Sequence, residues 1–313
     1  MPSDKIDLRM DLVTEKVELI DEEKNIYRIY QKPDPRRYEK KELNGEMGYY
    51  DKFDKIFFSE KVLEDAMPTL IDKDIYYSPV KIENSHDYVI SRRDFIEQFL
   101  DGKFNEKTDS IQTDFLEGLE NTELRCVILS IDLTGSTRMS QDLTPELNLQ
   151  VIGLFLNEMA LIVDKFNGHV LKYTGDGLMA YFPEPNFIGM VDNALDCACA
   201  MRIMFFHALN PALKSRGLPK LSFRIGIDSG KVRVNTFGPH EIKTQRDLIG
   251  DSVSIAVKIQ DLANENQILV GSSTVVNSHL YWRNKTKKIK LPADWAYFDK
   301  VTGNKYKVYQ LKE

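Results

Sequence analysis

Apolar positions along this chain change character near residue 124. Before it, short apolar runs such as Asn25-Ile-Tyr-Arg-Ile-Tyr30 and Lys55-Ile-Phe-Phe58 stand among Lys, Asp, Glu and Tyr, with patchy alternation and no internal repeat. Residues 1–120 are therefore expected to form an N-terminal accessory, regulatory module of mixed strands and helices. A disordered tail is the alternative, but aromatic residues are frequent for a purely solvated chain. Residues 103–123 read as a polar, partly helical connector.

From Leu124 the pattern sharpens. Cys126-Val-Ile-Leu-Ser-Ile-Asp132 is a short apolar, β-branched run and predicts a central strand. A small-residue turn, Thr134-Gly-Ser-Thr137, follows. Thr144-Pro-Glu opens a long amphipathic helix over 145–167, with Pro145 in its first turn and Asn167-Gly168 as its C-cap. Residues 169–173 and 178–182 predict a hairpin closed by Thr174-Gly-Asp-Gly177. Helical periodicity returns over 187–209. Leu221–Ile227 and Lys231–Val234 flank Asp228-Ser-Gly230 and predict a second hairpin. A strand near 246–250, a helix near 252–263, a strand at 267–270 and a last strand within 304–312 complete the order. This is an α+β pattern, of the ferredoxin-like or palm type, with helices packed on a mainly antiparallel sheet. The domain is expected over 121–313.

Composition narrows the classes. The 313 residues are 42% hydrophobic, enough for one large domain or two modest ones. The net charge is −6 and no long Lys/Arg run is present, which argues against a nucleic-acid partner. The first residues are charged throughout and lack the apolar core of a signal peptide. No window offers about 18 uncharged apolar residues, so no membrane partner is expected. Three cysteines, Cys126, Cys197 and Cys199, are too few for a disulfide framework and point to a reducing cytoplasm.

Two carboxylates stand where chemistry can use them. Asp132 ends the central strand and Asp176 sits at a hairpin tip, each among small residues that let a phosphate-bound ion approach. A Mg²⁺ site commonly takes one or two carboxylates, with nucleotide phosphates completing its shell. The turn Thr134-Gly135-Ser136-Thr137 can aim main-chain N–H groups at phosphate oxygens.

Ile131-Asp-Leu-Thr-Gly-Ser-Thr-Arg138, Gly168-His-Val-Leu-Lys-Tyr-Thr-Gly-Asp-Gly-Leu-Met-Ala180, Arg224-Ile-Gly-Ile-Asp-Ser-Gly-Lys-Val232 and Asp247-Leu-Ile-Gly-Asp-Ser-Val-Ser-Ile-Ala256 together resemble, in order and spacing, the class III adenylate/guanylate cyclases. The resemblance covers about residues 124–282. It implies a lyase that makes a 3′,5′-cyclic nucleotide and pyrophosphate with two Mg²⁺ or Mn²⁺ ions per site. Asp132 and Asp176 then fall on the metal-binding aspartates, with Leu133 beside them. Lys172 and Asp247 fall on the base-reading pair, whose donor and acceptor match adenine. A lysine near the C-terminus binds the triphosphate in this family; Lys300, Lys305 and Lys307 are candidates, and Lys300 is favoured.

The chain departs from the family where an Asn and, one helical turn later, an Arg orient the ribose and stabilise charge on the α-phosphate. Ser254 and Lys258 stand there. Lys keeps the charge and loses the planar fork of Arg. The family builds its site between two catalytic domains. One set of motifs here implies a homodimer with composite sites. ATP is the favoured substrate. A pyrimidine cyclase making cyclic UMP or cyclic CMP in anti-phage defence is the alternative, and a degenerate nucleotide-binding regulator a third reading.

Overall fold

The computed structural model describes residues 10–21, 26–52, 55–66, 80–82, 84–103, 115–183, 189–238, 245–300 and 303–312. The chain divides into two compact units, Met1–Ser78 and Pro79–Glu313.

The first unit is built from hairpins. Strand β1 (Leu12–Asp21) pairs antiparallel with β2 (Ile26–Pro33). Strands β3 (Tyr38–Leu43), β4 (Glu46–Asp51) and β5 (Phe57–Ser59) form a second, three-stranded sheet, followed by helix α1 (Glu60–Ala66). Arg37 is buried between two buried carboxylates, donating to Asp11 at 3.0 Å and to Asp51 at 2.8 Å. A buried guanidinium needs such partners, because desolvation alone would expel its charge.

The second unit carries the sharp motifs. It holds α2 (Ser85–Leu100), β6 (Glu123–Thr134), α3 (Ser136–Asp142), α4 (Pro145–Lys165), β7 (His169–Tyr173) and β8 (Gly177–Pro183). Helix α5 (Met190–Met204) runs through a π-helical turn, Phe205–Leu209, into α6 (Asn210–Lys214). Then come β9 (Ser222–Phe237), β10 (Gln245–Ile249), α7 (Asp251–Leu262), β11 (Gln267–Gly271), α8 (Ser272–Val276), α9 (Leu280–Asn284), β12 (Thr286–Lys288) and β13 (Val308–Leu311). The sheet order is β12-β13-β11-β9-β6-β8-β7, with β10 paired to β9 off that path. All these pairings are antiparallel except β11 with β9. This is the expected α+β architecture.

Period-two alternation along β6 sorts its side chains between two cores. Val127, Leu129, Ile131 and Leu133 pack under α4 and α5, whereas Cys126 and Ile128 face Met179, Tyr181, Val232, Val234 and Leu248 on the other side. Asp132 follows Ser130 on that second face. Helix α4 is the one described helix long and apolar enough to cross a membrane. It packs on the sheet and carries Glu158, fully buried, which accepts from Arg92 of α2 at 2.7 and 3.1 Å. Thus α2, within the region 1–120 that composition set apart, lies in the second unit.

The structure corrects one predicted element. Asp228-Ser-Gly230 is not a turn. Residues 222–237 are a single strand, and Asp228, Ser229 and Gly230 pair with Ile128, Val127 and Cys126. Its polar residues mislead because Asp228 is held inside: Tyr306 donates to it at 2.6 Å. The turn over Thr134–Thr137 is shorter than expected, since Ser136 already begins α3. Part of the connector, residues 104–114, lies outside the described residues.

Candidate active site

The carboxylate pair is set by the register of three strands. Asp132 stands opposite Gly177 in the β6–β8 ladder and opposite Arg224 in the β6–β9 ladder. The Leu133 N–H donates to the Asp176 carbonyl at 3.3 Å, which pins the hairpin tip beside the strand end. A Cβ on Gly177 would lie 3.0 Å from Asp132 Oδ1 and 2.8 Å from the Ile131 carbonyl, so this close approach requires glycine. Arg224 donates to Asp132 Oδ2 at 2.8 Å. Burial pushes the Asp132 carboxyl above its ordinary pKa, Arg224 opposes that shift, and the charge of Asp176 adds to it. Asp132 therefore feels the charge of Asp176. Their partner Arg224 was not singled out from the sequence, because nothing local says that residue 224 faces residue 132.

The small-residue turn follows directly. Thr134 closes β6 opposite Ser222, and Gly135 takes a φ of 77° and leads into α3, whose Met139 is buried in the core. The segment Leu133–Ser136 lines one wall of a cavity of about 420 Å³, with Lys220 and Asn266 on other walls. Thr137 is exposed, and its carbonyl accepts from Ser140.

Lys172 and Asp247 meet. Lys172 Nζ lies 2.5 Å from Asp247 Oδ2, and the other carboxylate oxygen accepts from the Leu248 N–H at 2.8 Å. The β7–β8 register slips between Val170 and Lys172, a bulge that shifts the side-chain alternation at the lysine. The edge strand β7 and the off-path strand β10 thus supply one charge each.

Ser254 and Lys258 share a different surface. Helix α7 buries Ile255, Ala256, Ile259 and Gln260 against the sheet and leaves Ser254 and Lys258 exposed. Lys258 pairs with Asp261 at 3.5 Å. Among the described residues, neither Ser254 nor Lys258 is hydrogen-bonded or ion-paired to Asp132 or Asp176. Lys300 is exposed and pairs with Asp251, at the start of α7. Lys305 reaches the Ala293 carbonyl at 3.5 Å, and Lys307 is exposed on the same segment. The chain by itself therefore brings the Asp176 hairpin tip beside Asp132, pairs Lys172 with Asp247, and leaves Ser254, Lys258 and Lys300 on the outside.

The family profile described as the adenylate and guanylate cyclase catalytic domain matches residues 120–313. An adenylate cyclase of Anabaena cylindrica is 31% identical over 199 residues, covering 59% of this chain and 37% of the relative. A cytidylate cyclase of Staphylococcus aureus is 27% identical over 201 residues, covering 61% of this chain and 46% of the relative. A uridylate cyclase of Rhodovulum sp. is 22% identical, covering 56% and 76%. This chain spans less than half the length of the first two. Among solved structures, the adenylyl cyclase CyaB from P. aeruginosa superposes with a TM-score of 0.53 at 23% identity, covering 62% of this chain and 97% of that one. The guanylyl cyclase Cya2 gives 0.52 at 22% identity, covering 61% and 93%. These structures share the fold. With the profile spanning well over half its residues, the chain belongs to the adenylate and guanylate cyclase catalytic domain family.

Proposed function

We propose that this protein is a nucleotide cyclase that converts a nucleoside triphosphate, ATP by preference, to the 3′,5′-cyclic mononucleotide and pyrophosphate. The observation that carries this reading is the hairpin tip at Asp176 pinned beside Asp132 near the end of β6, in a member of this family. The donor set suits Mg²⁺ or Mn²⁺. Two carboxylates and the Leu133 main chain leave open the positions that triphosphate oxygens fill. The charge of Asp176 felt by Asp132 is a second mark of fit, because a cation relieves it. Two ions, when bound, supply the charge that acidifies the ribose 3′-hydroxyl and balances the triphosphate.

The chain's own residues orient the reactants. Arg224 holds Asp132 in place. The Thr134-Gly135-Ser136-Thr137 turn offers main-chain N–H groups to the phosphates, and Lys300 adds a positive charge. Lys172 donates to the adenine N1 and Asp247 accepts from the 6-amino group, so a base with another donor and acceptor pattern fails to match them. The 3′-oxygen attacks the α-phosphorus and pyrophosphate leaves in line. Ser254 and Lys258 face outward, which supports a homodimer in which they serve the partner's substrate, Ser254 at the ribose and Lys258 at the α-phosphate.

A pyrimidine cyclase, making cyclic UMP or cyclic CMP as a defence signal, is the second reading. The relatives named as cytidylate and uridylate cyclases support it, as does Tyr173, which lies beside Lys172 and is more than half exposed. Incubation of the purified protein with each of the four nucleoside triphosphates and Mn²⁺, with chromatography of the products, tests both. Cyclic AMP formed by the protein and lost in Asp132→Ala supports the first reading. Turnover of UTP or CTP but not ATP selects the second. Binding of all four without product defeats both and leaves a regulatory nucleotide-binding protein.

A further inference from the structure

Lys172 and Asp247 sit on strands with open sides. Strand β7 is an edge of the sheet, and β10 hangs from β9 off the main order. A short segment ahead of β6 ties the two together. The Phe115 ring stacks on His169, the first residue of β7, with centroids 4.8 Å apart, and lies 6.2 Å from Tyr181 of β8. Leu116 is buried among Ile128, Met179, Val234 and Leu248. At the other end, Arg246 Nε donates to Glu120 at 2.7 Å, and Glu117 lies 3.9 Å from the same guanidinium. The Asn121 N–H donates to the Val234 carbonyl, and the Val234 N–H to Thr122. Arg246 is the residue immediately before Asp247.

We infer that residues 115–122 form a strap that sets the spacing of the base-reading pair, with Arg246, clamped by Glu120, as its positioning residue. The inference rests on the reading that Lys172 and Asp247 contact the base. Its physical content is simple. A donor and an acceptor discriminate between bases only if their separation is fixed to a fraction of an ångström, and neither strand fixes it by itself. The strap spans them with an aromatic stack and the adjacent buried Leu116 at one end and an ion pair at the other. The ion pair is partly exposed, with about a third of each side chain open to solvent, so it anchors without being irreplaceable.

The test uses the whole chain. Affinities for ATP, CTP and UTP are measured by calorimetry, and Mn²⁺ affinity by electron paramagnetic resonance, for Arg246→Gln, Glu120→Gln and the exchange Glu120→Arg with Arg246→Glu. Each single variant is expected to weaken the preferred nucleotide about fivefold and to narrow its lead over the other bases, with Mn²⁺ affinity unchanged. The exchange restores the lead. Single variants that melt earlier but keep full base discrimination overturn the strap. If Arg246→Gln does not fold, Glu120→Gln, in a surface turn, carries the same readout. Asp247→Asn in the same assay separates the two failures. If Asp247→Asn leaves discrimination intact, the base-reading assignment falls, and the strap with it. If it abolishes discrimination while Arg246→Gln and Glu120→Gln do not, the strap alone falls.

Discussion

Asp132 is held between opposing influences, and its neighbours set what replacing it does. Burial and Asp176 disfavour its charge, and Arg224 favours it. Asp132→Asn keeps an oxygen for Arg224 and removes the charge. Mn²⁺ affinity and kcat are expected to fall by about 10²–10³-fold, with little change in melting temperature. A fall in activity matched by loss of folded protein would assign Asp132 to the framework instead. Asp228 behaves differently. It is fully buried, and burial pushes its pKa up to about 7, against the hydrogen bonds from Tyr306 and the Ser229 main chain. The folded state then keeps a proton that the unfolded state releases, so the stability this group contributes is fully present below about pH 4 and is lost as pH rises through about 7. Asp228→Asn removes that slope. Urea unfolding at pH 5 and pH 8 checks it, and an unchanged slope in the variant would refute the assignment. The sequence exposed Asp132 and Asp176 because one closes an apolar run and the other sits at a hairpin tip, each among small residues. Arg224 and the Asp228–Tyr306 pair stayed hidden, because their meaning lies in strand register and in residues far apart along the chain.

At the scale of elements, the docking of α7 is the tightest constraint near the site. A Cβ on Gly226 would come within 2.2 Å of the Ala256 carbonyl and 2.3 Å of the Gln260 nitrogen, both in the α7 backbone. The helix rests on bare β9 main chain, and Ser130 fixes it further by donating to Gln260 at 2.8 Å. Gly226→Ala must push the helix away. It is expected to destabilise by about 1–3 kcal/mol, lowering the melting temperature by roughly 2–4 °C for each kcal/mol. Activity should fall more than stability explains, because Ser254 and Lys258 ride on that helix; an active, merely less stable variant would show that their placement is not critical. Most elements here could be read from periodicity and caps. The predicted helix 145–167 is found at Pro145–Lys165 with Thr144 as N-cap, and the 169–173 strand is found as predicted. The false hairpin at 228–230 shows where that reading fails. A buried, hydrogen-bonded Asp beside a Gly carries the composition of a turn, and only the neighbouring strands reveal that the chain runs straight.

At the scale of the whole molecule, the arrangement of charges argues for two copies. One chain brings the Asp176 hairpin tip beside Asp132 and, separately, pairs Lys172 with Asp247, but it turns Ser254 and Lys258 outward on α7. If the site is composite, Asp132 and Asp247 serve the same substrate from different protomers. Asp132→Ala and Asp247→Ala homodimers would each be inactive. Mixed in equal amounts and allowed to exchange, half the dimers are hybrids. Each hybrid has one site with both defects and one site with none, so about a quarter of the wild-type sites are restored. Activity of the mixture should rise toward about a quarter of the wild-type value, and should vanish on dilution below the dissociation constant of the dimer. A site completed within one chain predicts the opposite: the mixture stays as inactive as its components at every concentration. The two outcomes differ by the whole of the recovered signal, so the experiment does not depend on knowing which triphosphate the enzyme prefers, provided the wild-type protein turns it over.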